Sequence, residues 1–266
     1  MTTNRMSKIV LLGFLCTIIT ACSVASFGKA TISQDELKTS HNITVIPYKA
    51  SPIKIEPNTV GVLVPFSTVI NAAKQSATSD ERGQLAANFN DDAGGAWNPS
   101  LITAEECLKI FKNSSKVSIV NSSIGELSEI PGAVRLRKED PRIFTETNSY
   151  WSSDWEGLWR DFRDTNISFI EYKKNHSQID SDWYLEIFDF GLYFKNDFIR
   201  LGLMMKLNNS SSNEKIAIGW TGYGWGGTKY NISELQEGYN FKDFEQRYRD
   251  VSQKACTEVL TLMNLY

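Results

Sequence analysis

Histidine is nearly missing from this chain of 266 residues, which has two, His41 and His176. Two histidines so far apart give no His/Cys cluster at metal-ligand spacing and no H-E-x-x-H pair. With no G-x-S-x-G elbow either, no nucleophile–base set is visible, and neither catalytic nor metal residues are assigned. An excess of basic charge is also lacking. The 28 Lys+Arg stand against 31 Asp+Glu, a formal net charge of −3, whereas a nucleic-acid partner calls for a basic surplus. The run Ile9–Ile19 falls short of the ~20 apolar residues that cross a bilayer as a helix. No internal repeat is present. What remains is the composition of an ordinary folded protein, 41% hydrophobic and 12% aromatic, on a chain long enough to bury a core in one large domain.

The N-terminus is the most specific segment. Arg5 and Lys8 precede the apolar run, and small residues lead into Cys22, the layout of a secretory signal. Ile19-Thr20-Ala21-Cys22 resembles the lipobox of bacterial lipoproteins. The resemblance implies cleavage after Ala21, lipid on the Cys22 thiol and acylation of the new N-terminus, an anchor far stronger than one acyl chain. The residue after the cysteine is Ser23 rather than Asp, which in such families implies outer-membrane sorting if the source is Gram-negative. The mature chain then has 245 residues and a formal charge of −5. Asn-x-Ser/Thr sequons, for example at Asn42 and Asn231, read behind a lipobox as polar turns. Attachment to the membrane is expected through the acyl chains alone, with no nucleic-acid partner and no cofactor.

The expected organisation is a signal peptide at 1–21, a lipidated N-terminus and extended tether at 22–57, and a globular α/β domain at 58–266. The tether assignment rests on Pro47, Pro52 and Pro57, each of which fixes φ and removes a donor; an edge strand around Asn42–Tyr48 is the second choice. Thr59–Phe66 reads as a buried strand and Val69–Ala87 as a helix. Thr103-Ala104-Glu105-Glu106 fits a capping box opening a helix of about three turns, followed by a strand at Val117–Val120. Ser153 is read as the N-cap of a helix over Asp154–Arg163. Trp183–Phe194, Phe198–Asn208 and Glu214–Thr221 form an antiparallel meander with a hairpin at Lys195-Asn196-Asp197. An apolar stripe from Phe241 through Tyr248, Val251, Ala255 and Val259 to Leu262 predicts a long amphipathic helix across that sheet. The fold class is therefore α/β or α+β, in one domain.

With Cys16 removed and Cys22 lipidated, Cys107 and Cys256 are left. In an oxidising compartment they are expected to pair, or else to pack as two separate small hydrophobes. A bridge would close a loop of about 150 residues, worth about 4–5 kcal/mol in the chain-entropy model. Both histidines are expected at the surface. Asn88–Pro99 starts like a calcium loop but has Ala93 and Pro99 where Gly and Glu are needed. Gly222–Gly227 matches G-x-G-x-x-G formally, with Trp225 crowding any pyrophosphate. Tyr223 and Trp225 there, and Tyr150, Trp151, Trp155 and Trp159 earlier, are candidates for stacking on peptidoglycan or another glycan; burial is the competing reading for the Trp155/Trp159 pair. Acid pairs such as Asp154/Glu156 and Asp180/Asp182 exist, but nothing selects one for glycoside hydrolysis.

The segments Asp189–Leu192 and Arg200–Leu207, the strand ending near Trp220, Leu235-Gln236 and the helix bearing Cys256 are similar to a recurring pattern in bacterial envelope lipoproteins. Val60–Phe66 faintly resembles the opening strand of α/β lipoproteins of the curli-secretion and penicillin-binding-protein-activator type. These resemblances imply an α/β fold more than an activity. The function expected is that of a non-enzymatic envelope component meeting other envelope proteins, with peptidoglycan or glycan binding as the alternative and a periplasmic hydrolase as the third reading.

Overall fold

The computed structural model describes residues 33–49, 54–55, 98–131, 160–195, 198–221 and 241–266. The chain enters through a single helical turn, α1 (Gln34–Leu37), into β1 (Ser40–Tyr48), and a two-residue strand β2 (Lys54–Ile55) follows. Then come α2 (Pro99–Lys112), β3 (Ser118–Ile124) and α3 (Ile167–Asn175). The rest is the meander β4 (Trp183–Lys195), β5 (Phe198–Asn209) and β6 (Lys215–Trp220), closed by α4 (Phe241–Leu262).

One sheet runs in the order β3-β1-β4-β5-β6, with β2 also pairing β4. β1 is parallel to both β3 and β4, β2 is parallel to β4, and β4-β5-β6 are antiparallel. Both faces are covered. Trp183, Leu185 and Ile187 of β4 meet α2 and α4, and Tyr184 and Phe188 meet the side of α3. Strands buried on both faces read as near-continuous apolar runs, which is why β4 and β5 are plain in the sequence. Each such large side chain contributes about 1.5–3 kcal/mol through burial. The result is a single α/β domain of helix, sheet and helix layers.

Three expectations change. The segment 22–57 is not all tether, because β1 lies within it and is flanked by β3 and β4 rather than sitting at an edge, with Ile43, Val45, Ile46 and Tyr48 buried. Pro47 is tolerated there for a geometric reason. Val45 accepts from Gly125 N–H on the β3 side, so the donor that Pro47 lacks falls on that same side. The β1–β3 pairing has already ended at Val45–Ile124, and the Pro47 carbonyl is used by Ser128 N–H at 3.0 Å.

The second change concerns α2, which starts at Pro99 rather than near Thr103. Asn98 is the N-cap, its side chain accepting from Leu101 N–H at 3.2 Å, and proline at the first helical position is already set for a helix. Thr103 and Glu106, read as a cap, are instead buried mid-helix. The third change is α3, whose Phe169 and Tyr172 anchor it to the sheet in a stretch that showed no helix signal. Of the helix expected over Asp154–Arg163, residues 160–164 are helical. Ser153, the strand at Thr59–Phe66, the helix at Val69–Ala87 and the Asn88–Pro99 loop up to residue 97 lie outside the described residues.

Candidate functional site

Three polar assemblies stand out on this frame, two inside it and one at its end. On the α3 face, Glu186 of β4 and Lys206 of β5 are register partners with fully buried side chains, 2.9 Å apart. Glu186 also accepts from Tyr48 Oη (2.9 Å), Ser168 Oγ (2.6 Å) and Asn208 Nδ2 (2.7 Å). Lys206 Nζ donates to the Thr165 carbonyl at 3.0 Å and sits 4.2 Å from the centre of the Phe162 ring. Burial, with the Glu186 charge beside it, raises the Tyr48 phenol well above its ordinary value. Every charge here is matched within the network, the condition for keeping an ion pair in a low-dielectric interior.

On the opposite face, Asp189 of β4 is wholly buried. Its Oδ2 accepts from Thr103 Oγ1 of α2 (2.9 Å) and Tyr248 Oη of α4 (3.1 Å), and these two hydroxyls are 2.7 Å apart. Among the described residues, Oδ1 has no hydrogen-bond partner. Burial, only partly offset by the two hydroxyls, pushes the carboxyl from 3.8 up to about 7. One strand and two helices thus converge on a carboxyl that holds its proton almost to neutrality. Its effect on stability follows by linkage. In the unfolded chain the group ionises near 3.8, and in the folded one near 7, so its contribution is complete below the lower value and is lost as pH climbs to the upper. The loss is ~4 kcal/mol at most. An Asp189→Asn variant is expected to flatten the decline in stability between pH 4 and 7. Urea unfolding across that range checks it, and an unchanged slope would contradict the assignment.

The third assembly is an open, polar cleft of about 430 Å³ at the start of β1 and β4, where β5 ends. It is lined by Glu36, His41, Asp180, Asp182, Trp183 and Ser211, among others. His41 was expected at the surface but is buried, its ring stacked on Trp183 with centroids 3.4 Å apart. Its Nε2 lies 2.9 Å from both the Glu36 carbonyl and Thr39 Oγ1. Asp182 is tied to β1, accepting from Asn42 N–H at 2.8 Å. The pair Asp180/Asp182 therefore does share a cleft, with one oxygen of Asp182 occupied by the backbone. His176 is half-buried, stacked on Tyr172 and 3.4 Å from Glu126. Among the described residues no group of His, Cys, Asp and Glu is arranged to hold a metal ion, and no helix is long and apolar enough to cross a membrane.

Cys107 of α2 and Cys256 of α4 form a disulfide, with Cα atoms 5.1 Å apart. Beside it, Arg249 of α4 bridges Glu105 (2.8 Å) and Glu106 (2.9 Å) of α2, and Gln253 donates to Glu106 at 2.7 Å. Burial by itself would raise the Glu106 carboxyl, yet its hydrogen bonds from Lys109, Gln253 and Arg249 hold it below the usual range. Cys22, Tyr223, Trp225, Tyr150, Trp151, Trp155 and Trp159 lie outside the described residues. Sequence reasoning missed Asp189, Glu186 and Lys206 as buried groups. Their signal was charged residues set inside two largely apolar strands, two in β4 and one in β5.

The described residues thus define a three-layer α/β domain with a mixed sheet, two of its helices joined by a disulfide. No family model and no curated protein matches the chain. Among solved structures it is similar to the crystal structure of protein XCC0632 from Xanthomonas campestris, described under the family model DUF330. The two share 12% identity at a TM-score of 0.35, over 85% of this chain and 86% of that one. At that distance the likeness carries no functional inference.

Proposed function

We propose that this chain is a lipid-anchored protein of the bacterial cell envelope, serving there as a non-enzymatic structural or interaction component. The Cys107–Cys256 bridge is the observation that carries the reading. Such bridges persist in oxidising compartments and are rare where thiols are kept reduced. It agrees with the lipobox at Ile19–Cys22, which routes the chain to such a compartment and gives it an acyl anchor. The buried polar groups fit such a role, since Glu186, Lys206 and Asp189 hydrogen-bond neighbours inside the fold. Growth on labelled palmitate tests the anchor. Label is expected in the parent chain and lost on Cys22→Ala; an unlabelled parent chain would overturn the proposal.

A further inference from the structure

The polar cleft at the start of β1 and β4 plays no part in the reading above, and its charges are unanswered. Glu36 of α1, with Asp180 and Asp182 just before β4, brings three carboxylates to its wall, and the residues lining it include no Lys or Arg. Asp182 spends one oxygen on Asn42 N–H. The carboxylates of Glu36 and Asp180 have no ion-pair or hydrogen-bond partner among the described residues. Lys173 reaches the Ser210 carbonyl and the Asn213 side chain but is not part of the lining.

A donor in the same wall is unanswered too. Trp183 is only 1% exposed, and its ring is held by the stack on His41, whose Nε2 is fixed in turn by the Glu36 carbonyl and Thr39 Oγ1. A buried tryptophan normally finds a partner for its N–H. Here the indole Nε1–H has none among the described residues, and unlike Asp189 Oδ1 it is not shut off from solvent. The sliver of Trp183 that meets solvent therefore includes this N–H, at the wall of the cleft. An N–H held in place by a buried ring and left open is completed by an acceptor on a ligand. The two deficits together describe that ligand. Its cationic group answers the carboxylates, and an oxygen close to that group accepts from Trp183. A metal ion supplies the charge but no acceptor, and among the described residues no His, Cys, Asp and Glu are arranged to hold one. A neutral sugar supplies the acceptor and leaves the carboxylates unpaired. The volume of about 430 Å³ lies within the ~300–1,000 Å³ of small-molecule sites.

We propose that this cleft binds a small amino alcohol, an ammonium group beside hydroxyls as in an amino sugar, through the Glu36, Asp180 and Asp182 carboxylates and the Trp183 indole N–H. The test uses the full-length chain in detergent, its tryptophan indoles labelled with nitrogen-15, and glucosamine as the probe. Glucosamine at tens of millimolar is expected to shift, saturably, the indole N–H resonance that is missing from Trp183→Phe. Glucose and N-acetylglucosamine, which keep the oxygens and lack the ammonium, are expected to bind at least about tenfold more weakly. Glu36→Gln combined with Asp180→Asn is expected to weaken glucosamine by about the same factor while leaving the urea midpoint near that of the parent, since neither carboxylate is tied to the fold. The proposal fails if the Trp183 resonance does not move, if the neutral sugars bind as tightly as glucosamine, or if the double variant binds like the parent. Calcium chloride binding more tightly than glucosamine would also overturn it, in favour of a metal site.

Discussion

Replacing Lys206 by Met should destabilise the domain by about 3–5 kcal/mol, read as a fall in the urea midpoint at unchanged slope. Glu186 then keeps its hydrogen bonds from Tyr48, Ser168 and Asn208 but loses the cation 2.9 Å away. An uncompensated carboxylate in a fully buried site is among the costliest single defects available to a fold. The size of the effect separates a buried pair from a surface one, whose loss costs at most about 1 kcal/mol. A double variant sharpens the reading. With Glu186→Gln beside Lys206→Met, the residual charge is gone, and Asn208 has an answer to the new amide. Its Oδ1 has no hydrogen-bond partner among the described residues, so a flip of its side chain turns an acceptor toward the substituted glutamine side chain. Most of the lost stability should return. If the double variant is no better than Lys206→Met, the pair does not act as a charge-compensated unit.

Breaking the Cys107–Cys256 bridge should cost about 2–5 kcal/mol. The two cysteines are 149 residues apart in sequence, so an intact bridge restricts more than half of the unfolded chain. Both cysteines belong to the same buried core as Phe111, Val259 and Leu260. Cys107→Ala with Cys256→Ala therefore also leaves a small packing defect, whereas reduction of the parent leaves the thiols in place. Comparing oxidised parent, reduced parent and double variant in urea separates the cross-link from the packing. The oxidised form should be the most stable. Equal midpoints for oxidised and reduced parent would mean that the Arg249 network and the core hold α2 on α4 unaided.

Periodicity made the second half of the chain readable and left much of the first half obscure. The β4–β5 and β5–β6 hairpins follow from apolar runs and turn residues, and α4 from a stripe at helical spacing that buries Tyr248, Val251, Ala255 and Val259. At its end the stripe drifts to Leu260 and Met263, with Leu262 only partly buried. β1 was obscured by its own composition, since His41, Asn42 and Pro47 look like linker residues. The ring of Trp183 that covers His41 comes from 142 residues further along the chain, a distance that no local pattern spans. The capping signature at Thr103 misled for a related reason. Its hydroxyl serves Asp189 across the core, while the true cap, Asn98-Pro99, lay in what read as a loop. The disulfide was legible by counting. The buried Glu186–Lys206 pair was not, because a cross-strand register is needed to bring the two together.

The early start of the fold also sets a radius of action. Under a tether ending at residue 57, an anchor at Cys22 would leave the domain free to wander about 120 Å from the bilayer. With α1 beginning at Gln34 and β1 at Ser40, eleven residues separate Cys22 from the first helix, a leash of about 40 Å even at full stretch. Under the proposed anchor at Cys22, a domain held so near the lipid headgroups would meet neighbours on the same surface far more often than anything approaching from a distance.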